Sequence, residues 1–147
     1  MKHIILAALV MLGGFFQFAI ASEGHSPVGT WTTVDDETGE KKSIVKMWID
    51  GKELKGQIVE LLDPAKKGNL CTECKGANKN QPIEGMIFVW GLTEDGDEWN
   101  GGKILDPKNG KEYKAKRSVI SGGDQLEVRG FIGFALLGRT QTWTRME

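Results

Sequence analysis

Beyond an apolar opening stretch, apolar and polar residues alternate in short runs. No long window repeats apolar residues at the i, i+3, i+4, i+7 spacing of an amphipathic helix. Runs rich in β-branched and aromatic residues recur instead, and they predict strands near 28–35, 43–50, 53–62, 85–93, 98–105, 111–120, 125–132 and 136–145. The segments between them, such as "IDGKE", "TEDGDE", "PKNGKE" and "SGGDQ", set Gly beside Asp, Asn or Gly. Those residues tolerate the positive φ that tight hairpins need. Eight strands joined mostly by short hairpins form an antiparallel up-and-down meander, which removes its exposed edges by closing into a barrel. The expected fold is therefore all-β, a single antiparallel barrel of about eight strands. One connection is long. Residues 63–84, "DPAKKGNLCTECKGANKNQPIE", are polar and rich in Gly, Asn, Lys and Pro. They read as a surface loop of a length that is often functional or mobile.

The opening stretch has a different logic. Residues 1–21, "MKHIILAALVMLGGFFQFAIA", begin with Lys2, run apolar from Ile4 to Phe16 and end in Ala19-Ile20-Ala21. That is the charged, apolar and small-residue sequence of a secretory signal peptide, and it predicts cleavage after Ala21 and export to the periplasm or the extracellular space. The apolar run is shorter than the ~20 residues that span a bilayer. The mature chain, 22–147, suits one domain with its own core. Removing residues 1–21 takes away Lys2 and no acid, leaving 18 Lys plus Arg against 20 Asp plus Glu. A mixed surface with net charge near −2 argues against a nucleic-acid partner or an anionic membrane surface. Outer-membrane barrels also follow signal peptides, but they present a continuous apolar belt to lipid. Here "KSIVKMWID" and "KEYKAKRSVI" carry charges along their length, which favours a soluble barrel that does not span a membrane.

Chemistry-bearing residues are few. The two cysteines, Cys71 and Cys74, lie three positions apart in the long loop. An exported chain meets an oxidising compartment, which favours a loop disulfide. A redox centre would need a helix N-terminus to stabilise the thiolate, and "KGANKNQPIEG" after Cys74 offers no helical stripe. A zinc site would need more ligands than His25 and nearby carboxylates such as Glu73. Nucleophilic catalysis would have to recruit His25, and the acids at 35–37 and 95–98 fall in predicted hairpin turns, where solvated carboxylates are ordinary. No Gly-rich loop precedes a helix. No metal and no cofactor are expected, and no catalytic constellation is visible.

Aromatic and arginine content says more. Trp31, Trp48, Trp90, Trp99 and Trp143 all fall in predicted strands, where core packing is their simplest role. The last strand, "GRTQTWTRM", sets Arg139, Gln141, Trp143 and Arg145 on one face against three threonines on the other. The usual exposure of arginine weights that face towards the outside. If Trp143 points inward, an arginine follows it and needs an acceptor. The alternation by itself leaves the choice open.

Two resemblances bear on this. "VGTWTTVDD", a Gly-x-Trp opening the first strand, resembles the start of lipocalin-type barrels. The resemblance implies that Trp31 plugs one end of the barrel against an arginine from the last strand, and antiparallel pairing of the first and last strands in a closed meander sets Arg145 ahead of Arg139. The blocks "WNGGKILDPKNGKEY" and "RGFIGFALLGRTQTWTR", with "LKGQIVELLDP" and the first strand, are similar to an exported bacterial family known as domain of unknown function 2147. That family implies an exported β-domain and no established activity. The leading expectation is a barrel that holds a small, partly apolar ligand, with Trp31, Arg139, Trp143 and Arg145 as ligand-binding or plug residues. The alternative is an envelope interaction module with a packed interior, and an enzyme is the weakest reading.

Overall fold

The computed structural model describes residues 26–120, 123–133 and 138–146. The stretch read as a signal peptide, and His25, lie outside them. Eight strands follow in chain order: β1 (Gly29–Val34), β2 (Lys41–Asp50), β3 (Glu53–Leu61), β4 (Ile87–Asp95), β5 (Glu98–Asp106), β6 (Lys111–Ile120), β7 (Gln125–Phe131) and β8 (Gly138–Arg145). Each pairs antiparallel with the next, and β8 returns to β1, so the sheet closes into a barrel. Period two explains the faces. In β2, Ser43, Val45 and Met47 are buried while Lys42 and Lys46 face solvent. In β6, Ala115 and Arg117 are buried between Lys114 and Lys116, which face out.

The closing seam is short. Trp31 pairs with Arg145 and Thr32 with Thr144, and the described ladder stops there. Towards the other end Asp36 spans β1 and β8. Its carboxylate accepts from Arg139 Nε at 2.5 Å and from Gln141 Nε2 at 2.6 Å.

Up-and-down order fixes which connections share an end. The β2–β3, β4–β5 and β6–β7 connections lie with the N-terminal strap 26–28 at one end. The β1–β2, β3–β4 and β5–β6 connections, with the end of β7 at Phe131 and the start of β8 at Gly138, lie at the other. Core packing is dense towards the first end, where Trp31, Val45, Leu54, Val89, Leu92 and Leu126 are fully buried.

The long β3–β4 connection is more ordered than its composition suggests. Two short 3-10 turns, Pro64–Lys66 and Gly76–Asn78, flank the cysteines, and a Leu70–Pro82 bridge ties its limbs. Cys71 and Cys74 are joined by a disulfide and, within a polar loop, are both buried. The loop rests on the β5–β6 turn: at Gly110 (φ +69°) an added Cβ would stand 1.9 Å from the Glu73 carbonyl oxygen.

The face of β8 is a correction to the exposure argument. Trp143 is 1% exposed and Arg145 lies over Trp31, so the Arg/Trp face points inward. Statistical exposure of arginine gives way here because Arg145 finds acceptors at the barrel's end, as described next.

Candidate functional site

At the first end, Trp31 is fully buried and donates its indole N–H to the Pro27 carbonyl at 3.0 Å. The Arg145 guanidinium carbon sits 4.2 Å from the Trp31 ring centroid. Its Nε donates to Gly123 O at 2.7 Å, one terminal nitrogen to Val28 O at 2.9 Å and the other to Ser26 O at 2.7 Å. One planar fork thus ties the N-terminal strap, the β6–β7 connection and the end of β8 over the indole, which a point-charge lysine could not do. This geometry gives the Gly-x-Trp motif a physical reason. Gly29 has φ +141°, and a Cβ there would lie 2.5 Å from an Arg145 terminal nitrogen. Only glycine leaves room for the fork.

The other end is open. A cavity of about 1050 Å³ runs inward from it, at the upper limit of the range typical for small-molecule sites. Its walls are mostly apolar, with Ile58, Leu61, Phe88, Ile104, Val128 and Trp143 among them. Thr33 and Ser43, both buried, share a hydroxyl hydrogen bond of 2.7 Å on one wall. Five carboxylate residues and five Lys or Arg residues line its mouth, and Asp36, paired with Arg139, adds a sixth carboxylate there. At the β1–β2 turn the backbone N–H groups of Thr38 and Glu37 hold the Asp35 carboxyl below the usual carboxylate range. The floor is made by Trp143, whose ring meets Phe88 at a centroid distance of 5.9 Å and donates its N–H to Gln141 Oε1 at 3.1 Å.

Against that floor lies Arg117. It is 2% exposed, and its guanidinium carbon stands 5.6 Å from the Trp143 ring centroid. Nε and both terminal nitrogens are buried and have no hydrogen-bond partner among the described residues. Burial alone, with no carboxylate to offset it, pulls its proton affinity down to about 9.

The residues singled out from sequence thus separate. Trp31 and Arg145 stack at the sealed end, Trp143 floors the cavity from the inside, and Arg139 stands at the rim paired with Asp36. Of the five tryptophans only Trp143 lines the cavity. Arg117 is not among the sequence candidates, although the sequence carries a signal for it. In "KEYKAKRSVI" the outward phase of Lys114 and Lys116 forces Arg117 into the phase of Ala115. Among the described residues no group of three His, Cys, Asp or Glu could hold a metal ion, and no helix is long and apolar enough to cross a membrane.

A closed eight-stranded antiparallel barrel, stacked shut at one end and hollow at the other, is the lipocalin-like class of fold. The family model described as "Uncharacterized protein conserved in bacteria (DUF2147)" matches residues 29–145, and the chain belongs to that family. Among solved structures it is similar to protein HP1028 from the human pathogen Helicobacter pylori, which belongs to the lipocalin family. The two share a TM-score of 0.73 and 20% identity over 83% of this chain and 84% of that one. At that identity the likeness is one of fold. Comparison with curated proteins finds no match.

Proposed function

We propose that this protein binds a small, partly apolar ligand in the barrel, entering by the end that carries the β1–β2, β3–β4 and β5–β6 connections. One observation carries the reading: the barrel interior is packed solid at the Trp31 end and hollow, with apolar walls, at the other. A module working only through its surface has no use for a cavity of about 1050 Å³, which forgoes the dispersion contacts a packed interior would make. The sealed end makes the cavity blind, so a ligand enters and leaves by one route. We also propose that residues 1–21 are a signal peptide, so that ligand capture takes place outside the cytoplasm.

Displacement of the neutral fluorophore N-phenyl-1-naphthylamine tests the cavity. The wild-type barrel is expected to bind it, and Val128→Trp, which puts an indole into the hollow, is expected to weaken binding about tenfold while leaving the far-ultraviolet spectrum of the barrel in place. Equal binding by both proteins would locate the dye elsewhere and remove the support for a cavity ligand. Intact mass of protein from its native envelope tests export, with Ser22 expected as the first residue and retention of residues 1–21 as the opposing result.

A further inference from the structure

We infer that Arg117 is the anchor for an anionic headgroup, and that the cavity's ligand is a monoanionic amphiphile, a carboxylate with an apolar body. The inference rests on the cavity-binding reading above.

Arg117 stands in the same inward-facing column of β6 as Tyr113, which lines the cavity, and as Ala115 between them. It lies four residues deeper, about 13 Å along the strand. Its neighbours across the ladder are Trp99 on β5 and Val128 on β7, and neither side chain offers an acceptor. Among the described residues, the group set against its guanidinium is the Trp143 indole, at 5.6 Å. A cation–π contact at that distance recovers a small part of what a buried guanidinium loses with its water. Arg145, by contrast, has three carbonyl acceptors, and Arg139 has a carboxylate. Among the arginines buried or at the cavity, Arg117 is the one left with an uncompensated charge.

The sign and size of that charge select the ligand. Arg117 puts a single positive charge at the deep end of the pocket, away from the solvated rim and with no hydrogen-bond partner among the described residues. A monoanion balances it, whereas a dianionic phosphate would leave a negative charge in an apolar core. A guanidinium fork matches a planar carboxylate with two parallel hydrogen bonds. The walls of Ile58, Phe88, Ile104 and Val128 then take the apolar body. Trp143 lines the cavity and lies against Arg117, which does not, so the headgroup reaches Arg117 when the indole turns aside, and an ion pair replaces the cation–π contact.

The test measures displacement of N-phenyl-1-naphthylamine by decanoate and by decan-1-ol, at neutral pH and below the concentrations at which either aggregates. Wild type is expected to bind decanoate about ten- to a hundred-fold more tightly than the alcohol, the difference one charge-assisted hydrogen-bonded pair makes. Arg117→Met is expected to bind the two alike. It is also expected to melt higher than wild type by about 3 °C or more, because it takes an unpaired charge out of the core. Arg117→Gln, neutral and polar, is the second variant and should lose the preference as well. Equal affinity of wild type for acid and alcohol, or a preference that survives both substitutions, would overturn the anchor and leave the cavity reading standing. Binding of neither compound nor dye by wild type would overturn both.

Discussion

Replacing Trp31 and Arg145 singly and together asks whether the sealed end behaves as one unit. Trp31 is fully buried, so Trp31→Ala opens a large void and is expected to cost about 3–5 kcal/mol. Arg145 makes three hydrogen bonds to backbone carbonyls, two in the strap 26–28 and one at Gly123. Hydrogen bonds from a charged donor are worth ~1.5–3 kcal/mol each when their acceptors stay dry. Ser26 and Val28 are exposed, so their carbonyls regain water in the variant, while Gly123 is buried. Arg145→Ala should therefore cost about 2–4 kcal/mol, somewhat less than loss of the indole. With the guanidinium carbon 4.2 Å from the ring centroid, the two share a direct contact worth about 0.5–2 kcal/mol. The double variant should fall short of the summed losses by at least that amount, because either substitution alone loosens the strap from 26 to 28. Urea unfolding followed by near-ultraviolet circular dichroism measures all four corners of the cycle. Additivity within about 0.3–0.5 kcal/mol, the range found for residues that do not touch, would refute the stacked seal. Arg139→Ala is the internal control. Its partner Asp36 is at the open end, so it should show no coupling to Trp31.

The disulfide closes a loop of only three residue steps, so the chain-entropy argument gives the Cys71→Ser, Cys74→Ser double variant a loss of about 2 kcal/mol or less, with the barrel intact by circular dichroism. A thiol titration of denatured, unreduced wild type should find no free thiol, and two free thiols would contradict the bond. Gly110→Ala should loosen the long loop from the β5–β6 turn, since both its φ of +69° and the Glu73 carbonyl exclude a side chain. Faster amide exchange or proteolysis confined to 63–84 is the expected readout, and unchanged protection would show that the loop is held by something else. Asp35 should titrate below its ordinary 3.8 by carboxyl NMR. A depressed carboxylate lends stability above the unfolded value and loses it as pH falls through the folded one, so Thr38→Pro, which removes its strongest donor, should bring the titration back up.

Much of the architecture is local in origin, and for that reason it is written in the chain. Period-two alternation and Gly-Asp or Gly-Asn turns place eight strands within a few residues of where they stand, because both are properties of adjacent residues. A meander of eight has few ways to hide its edges, so closure follows with little further information. Gly29 and Trp31 mark the sealed end only through the resemblance of the first strand to lipocalin-type barrels. What tertiary structure alone decided depends on register around the whole barrel. Arg145 reaches Trp31 because β8 pairs with β1, and Asp36 meets Arg139 across 103 positions of sequence. No local pattern separates those two arginines, which share a strand and a face and end at opposite mouths. The hollow is likewise a property of the closed assembly, since the same alternation fills the barrel at one end and leaves it empty at the other. Arg117 combines both kinds of information. Its inward phase is legible from Lys114 and Lys116, but its lack of a hydrogen-bond partner among the described residues is not, because that depends on how the strands around it close.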